Sequence, residues 1–110
     1  MIAMKNGQTR NLTEPMYYIL LILTNPHHGY GIMQKVHTFT EGRVEIGAGT
    51  LYSLLSKFTA EKLIRIDSVG ERKKTYVITE KGRDVLEKEY QRLQRLVRDG
   101  DRILTRERQS

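Results

Sequence analysis

Between Ile46 and Ala60 the 110-residue chain carries no aspartate or glutamate. The same stretch holds Thr50, Tyr52, Ser53, Ser56 and Lys57, interleaved with Leu51, Leu54, Leu55 and Phe58. At helical spacing the apolar residues fall on one face and the hydroxyls, phenol and cation on the other. Small hydrogen-bonding side chains without carboxylates suit a helix laid in a DNA major groove, where an acid would face phosphate. The pattern also suits a polar helix face that merely lacks acids. A second cationic group, Arg72, Lys73 and Lys74, sits in a polar connection that opens with Gly70. At a hairpin tip such cations can straddle phosphates and release counterions, adding affinity without sequence information, or they can simply keep a turn solvated.

Other chemistry fails on spacing. Gly29-Tyr30-Gly31 begins like a dinucleotide loop, but the third glycine position is Gln34 and no strand is expected before it; Gly47-Ala48-Gly49 fails likewise at Tyr52. Neither a phosphate-cradling Gly-x-x-x-x-Gly-Lys nor a Gly-x-Ser-x-Gly is present. His27, His28 and His37 lack metal-ligand spacing, and the absence of cysteine excludes disulfides, thiolate metal sites and thiol nucleophiles. The expectation is a protein that is not an enzyme and needs no metal or cofactor.

These residues need elements to hold them. Thr13 can cap a first helix with Glu14 and Pro15 in its first turn. That helix continues from Met16 to Leu23, apolar nearly all round, which calls for burial on two sides, one of them against a second subunit. Asn25-Pro26 ends it. A second helix runs from about His28 to Phe39, with Ile32, Val36 and Phe39 inward and Met33 beside them. After a glycine-rich turn, Thr50 can cap the third helix. The period then changes: Leu63 to Val69 and Thr75 to Ile78 read as two strands of a hairpin. Thr79 can cap a last helix whose Leu86, Tyr90, Leu93, Val97 and Leu104 follow 4-3-4 spacing, with Gly100 at the missing seam position. From Glu80 to Leu104 it would be roughly 37 Å long at 1.5 Å per residue, more than so small a core can cover. Along it, Arg92, Arg95, Arg98, Arg102 and Arg106 alternate with acids at pairing distance, for example Asp84 with Lys88 and Arg95 with Asp99, which favours a salt-bridged solvent face.

The fold expected is mainly α with a small β-hairpin (α+β), a winged helix-turn-helix plus a long C-terminal helix. Its divisions are a flexible tail (1–10), the winged domain (11–79), a dimerisation helix (80–104) and a second tail (105–110). The formal charge of +6 points to anionic partners, and 38% hydrophobic content is that of a globular chain. The longest apolar run, Met16 to Leu23, is too short for a membrane span, and no leader is evident, so a cytoplasmic protein is expected.

The letters themselves are also familiar. His28-Gly29-Tyr30-Gly31-Ile32, Gly49-Thr50-Leu51-Tyr52 with Leu55 and Lys57, Glu61-Lys62-Leu63-Ile64, and Arg72-Lys73-Lys74-Thr75-Tyr76 through Thr79-Glu80-Lys81-Gly82-Arg83 resemble the PadR family of transcriptional regulators. The likeness covers about Thr13 to Leu104 and suggests the small subfamily with one C-terminal helix. Phe58-Thr59 departs from the family's commoner Leu-Glu. The resemblance implies a homodimeric repressor on a pseudo-palindromic operator, with Thr50, Tyr52, Ser53, Ser56 and Lys57 on the recognition helix and Arg72, Lys73 and Lys74 on the wing. It implies a dimer interface built from Met16, Tyr17, Leu20, Leu86, Tyr90, Leu93, Val97 and Leu104. It further implies an aromatic or drug-like effector near that interface. Without tryptophan, capture between paired indoles is excluded, which leaves Met16, Tyr17 and Tyr90 as candidates. The rival reading is a winged protein-interaction module that does not bind DNA.

Overall fold

The computed structural model describes residues 11–71 and 73–109; the tail expected over 1–10 lies outside the described residues. The Thr13 hydroxyl accepts the Met16 amide at 3.4 Å, and Pro15 stands in the first turn, where a missing N–H leaves no bond unmade. Helix α1 (Glu14–Ile22) buries Ile19 and Leu20 completely, as does the following Leu23. Strand β1 (His27–His28) leads into α2 (Gly29–Phe39), and α3 (Ala48–Ala60) follows a turn. The wing is β2 (Ile64–Val69) and β3 (Lys74–Ile78), and α4 (Glu80–Gln109) closes the order.

Three expectations change. The hairpin is a three-stranded antiparallel sheet of order β1-β3-β2, because His27 and His28 pair with Tyr76 and Thr75. Helix α3 starts at Ala48 behind Gly47, so Thr50 lies inside its first turn and does not cap it. Phe39 is 73% exposed; at the end of α2 the inward direction passes to Thr40, which is buried. The Thr40 hydroxyl donates to the Val36 carbonyl at 2.8 Å and accepts the Val44 amide at 3.0 Å, pinning the turn that precedes α3.

Both helix-turn-helix elements end in Schellman closures. After α2, the Gly42 amide reaches the His37 carbonyl with Glu41 at φ 54°; after α3, the Leu63 amide reaches Phe58 with Lys62 at φ 64°. Left-handed backbone at two non-glycine residues carries strain that the surrounding packing must offset. Ile19, Leu20, Leu23, Ile32, Val36, Leu51, Leu55, Phe58 and Ile64 are the fully buried centre, each worth about 1.5–3 kcal/mol of burial.

Helix α4 is anchored at its base. The Thr79 hydroxyl accepts the Gly82 amide at 3.0 Å and donates to the Lys62 carbonyl at 2.7 Å. Gly82 lies so close to the entry of β2 and the end of β3 that a β-carbon there would sit 2.8 Å from Ile78 Cγ1 and still nearer the Leu63 carbonyl oxygen. The helix then runs through Gln109, so residues 105–109, expected as tail, are helical. No helix among the described residues is long and apolar enough to cross a membrane.

Candidate nucleic-acid interface

Leu51, Leu55 and Phe58 fix the rotation of α3 by facing the core, and helical geometry then turns Ser53 and Ser56 directly outward. Thr50 and Lys57 flank them on one side and Tyr52 on the other. All but Lys57, which is half-buried, are exposed. The central strip is thus small and hydroxylated, which permits close approach of a groove floor, with longer groups at its edges.

Tyr52 has a second engagement. Its phenol lies over Gly29 at the start of α2, where a β-carbon would stand 2.8 Å from Tyr52 Cζ. Gly29 is therefore the joint at which α3 packs on α2, and half of the Tyr52 surface remains outward. Lys57 is also engaged, its ammonium 3.0 Å from Glu61 Oε2. Both residues lie on the outward face that the sequence predicts, and both make a contact that helical periodicity does not foretell. The signals were a glycine in an otherwise bulky run and an acid four residues after the lysine.

On the wing, Lys73 and Lys74 are exposed and form no ion pair among the described residues; Arg72 lies outside them. The tip is closed by the Gly70 amide on the Lys73 carbonyl at 2.8 Å. A register shift between Ile66 and Ser68 puts a bulge at Asp67, whose carboxylate is held by Arg65 at 3.3 Å. The Ser68 and Thr75 hydroxyls meet at 2.8 Å across the strands. A bulge of this kind bends a ribbon and increases its local twist.

The second surface is the open face of α4. Tyr90, Val97 and Leu104 are 50–62% exposed, and Leu93 is half-buried. Leu96 and Ile103, missed by the 4-3-4 reading, stand beside them at 53% and 61%. Three apolar positions per heptad make a broader face than a two-position seam. Met16 and Tyr17 are half-buried on α1. Leu20 and Leu86, expected at an interface, are instead 0% and 4% exposed in the chain's own core and have no surface to offer a partner.

Tyr17, Tyr90, Leu93, Gln94, Val97 and Arg98 line a concavity of ≈ 400 Å³ where α1 meets α4. Beside it Glu89, one of the acids interleaved with the α4 arginines, is buried and accepts two hydrogen bonds from Arg92 at 2.9 and 2.7 Å. The Arg92 hydrogen bonds, opposed by burial and helped by the Leu12 amide, hold the Glu89 carboxyl below its ordinary range. Burial, with Tyr90 and Glu89 nearby, pushes the Tyr17 phenol up, so it stays neutral. Further along, Asp84 pairs with Lys88 as expected, while Asp99 takes Arg102 at 3.0 Å rather than Arg95. No group of metal-ligating side chains gathers among the described residues.

Residues 19–88 match the Transcriptional regulator PadR-like family. A PadR-like transcription factor of Bacteroides fragilis superposes with a TM-score of 0.67 at 28% identity, over 79% of this chain and 86% of that one. A PadR-like transcriptional regulator of Bacillus cereus gives 0.64 at 29% identity, over 80% and 88%. An uncharacterized 37.1 kDa protein in transposon TN4556 of Streptomyces fradiae is 30% identical over 81 residues, which are 74% of this chain but only 23% of that protein's length. With the winged fold, the four motifs and the matched span in agreement, the chain belongs to the PadR-like family, a family of transcriptional regulators and not of enzymes.

Proposed function

We propose that this chain is a sequence-specific, double-stranded-DNA-binding repressor that works in the cytoplasm as a homodimer. The observation that carries the reading is the outward face of α3, hydroxylated and acid-free from Ile46 to Ala60. The exposed Lys73 and Lys74 support it, as cations for the flanking phosphates. The broad apolar face of α4 supports self-association, because Leu96, Val97, Ile103 and Leu104 gather 50–62% exposed along one helix, and contiguous bare apolar surface marks interaction sites. Two-fold pairing would present two recognition helices about 34 Å apart, which suits a pseudo-palindromic operator. A small aromatic effector that relieves repression fits the concavity between Tyr17 and Tyr90, whose volume lies in the range of small-molecule sites.

The test is an anisotropy titration against DNA upstream of the protein's own gene and against random duplex, at several salt concentrations. Tight, salt-dependent binding to the upstream DNA is the expected result, with Lys73→Ala lowering the log–log salt slope by about 0.9 per protomer, about 1.8 for the dimer. Absence of upstream binding at any salt, with α4 capturing a partner protein, would install the interaction-module reading instead. Val97→Glu should turn a dimer into a monomer in sedimentation; an unchanged mass would remove α4 from the interface.

A further inference from the structure

Gly29 is the first residue of α2 and is buried. Nothing in the backbone asks for a glycine there: among the described glycines only Gly42 has a positive φ, and a helix gains from alanine over glycine. What asks for it is Tyr52. A β-carbon at Gly29 would have three atoms of the Tyr52 phenol as its nearest neighbours, the oxygen closest, then Cζ at 2.8 Å and Cε1 at 2.9 Å. At Gly82 the obstacle is a backbone carbonyl and the fold itself must give; at Gly29 it is the far end of one side chain, which can swing about its own bonds. That side chain is 49% exposed, and its hydroxyl has no hydrogen-bond partner among the described residues, so packing on Gly29 is what holds it.

We infer that Gly29 is a positioning residue for sequence discrimination: it seats the Tyr52 ring on α2 and so keeps the serine strip of α3 clear for the groove floor. The inference rests on the reading of α3 as the DNA-binding helix. Tyr52 stands on α3 between the core-facing Leu55 and the outward Ser56, so a ring pushed off α2 turns outward, beside Ser53 and Ser56. There its bulk stands above two of the shortest polar side chains. A complex in which α3 is fully seated needs that strip at hydrogen-bond distance from base edges, about 3 Å. A loose complex with arbitrary DNA is held at the phosphates by the wing and by diffuse charge, and needs no such approach. A displaced ring therefore weakens the seated complex and leaves the loose one nearly as it was, and specificity is the difference between the two. Seating also fixes the ring before DNA arrives, so less side-chain freedom remains to be lost on binding.

Gly29→Ala, Tyr52→Ala and the double variant should be titrated beside wild type on a random-sequence duplex pool and on a duplex that wild type enriches from that pool, and each should be melted. On the enriched duplex Gly29→Ala should bind about three- to tenfold weaker per protomer, as for one net hydrogen bond lost, and so about ten- to hundredfold weaker as a dimer. On the random pool it should stay within about twofold, with an unchanged salt slope because no charge is altered. In the Tyr52→Ala background the ring is gone, so Gly29→Ala should change affinity for neither duplex and should raise the melting temperature, alanine being the better helix former with room for its methyl. Wild-type affinity of Gly29→Ala for the enriched duplex would overturn the inference, and so would an equal loss with Tyr52 already truncated. A Gly29→Ala chain that no longer melts cooperatively would overturn it too, because the fold and not the ring would then have given way. Wild type that enriches no duplex would instead refute the DNA-binding reading itself.

Discussion

Replacing Thr40 by valine isolates one hydrogen-bonding atom at the turn before α3. The two side chains share volume and β-branching, so packing against the core is kept while the hydroxyl is lost. That hydroxyl accepts the Val44 amide at 3.0 Å and donates to the Val36 carbonyl at 2.8 Å, with the Val44 carbonyl at 3.3 Å. Thr40 is 8% exposed and Val44 equally so, which leaves little room for water to take over the amide. A buried donor left without its acceptor costs about 1–3 kcal/mol. For a domain of this size that corresponds to a fall in melting temperature of about 4–20 °C. Thr40→Ser, which keeps the oxygen and drops one methyl, should cost about 0.8 kcal/mol. Thermal denaturation by circular dichroism at one fixed protein concentration measures both, the concentration being held because self-association shifts the midpoint. If Thr40→Val melts at or above Thr40→Ser, the hydroxyl does not hold this turn and the reasoning is wrong.

Three further outcomes are expected. Gly82→Ala should destabilise by about 1–3 kcal/mol even though alanine is the better helix former, because its β-carbon meets the Leu63 backbone; Gly100→Ala, with open space around it, should gain up to about 1 kcal/mol. Equal urea midpoints for the two would contradict this. Lys62→Gly relieves a left-handed residue and should raise the urea midpoint by an amount worth about 0.5–1 kcal/mol, with the m-value unchanged; a lower midpoint would count against strain at Lys62. Glu89 is depressed in the folded state by its Arg92 hydrogen bonds, so its stabilisation is complete above its ordinary value of 4.5 and is lost as pH falls through the lower folded value. Glu89→Gln should therefore be less stable than wild type at pH 7, and the gap should close as the pH falls below about 4.5. A gap of constant size down to acid would show that Glu89 contributes through something other than its charge.

How far the residues announced this structure depends on whether the partner of each lay nearby in the chain. Thr13, Pro15 and Thr79 act on their own helix starts, and those starts were readable. The alternation of Leu51, Leu55 and Phe58 gave the rotation of α3, and with it the outward hydroxyls. Strand β1 was not readable, since two histidines show no periodicity and their partners, Tyr76 and Thr75, lie far along the chain. Leu20 and Leu86 were apolar at the right spacing, but spacing does not say whether a stripe faces its own core or another subunit. Phe39 misled for a related reason: the stripe continued in register after the core had ended, and a hydroxyl took the inward place. At the candidate interface, residue types were legible while engagements were not, as the Tyr52 phenol over Gly29 shows.

The base of α4 has a mechanical consequence. Thr79 and Gly82 clamp that helix to Lys62 and Leu63, two of the three residues that join α3 to the wing. A 30-residue helix is a rod of about 45 Å, so a tilt of about 5° at the clamp displaces its far end by about 4 Å. The relation also runs backwards: whatever fixes the distal half of α4 sets the aim of α3 with a fine lever, and small changes there translate into angular adjustments at the opposite end of the molecule.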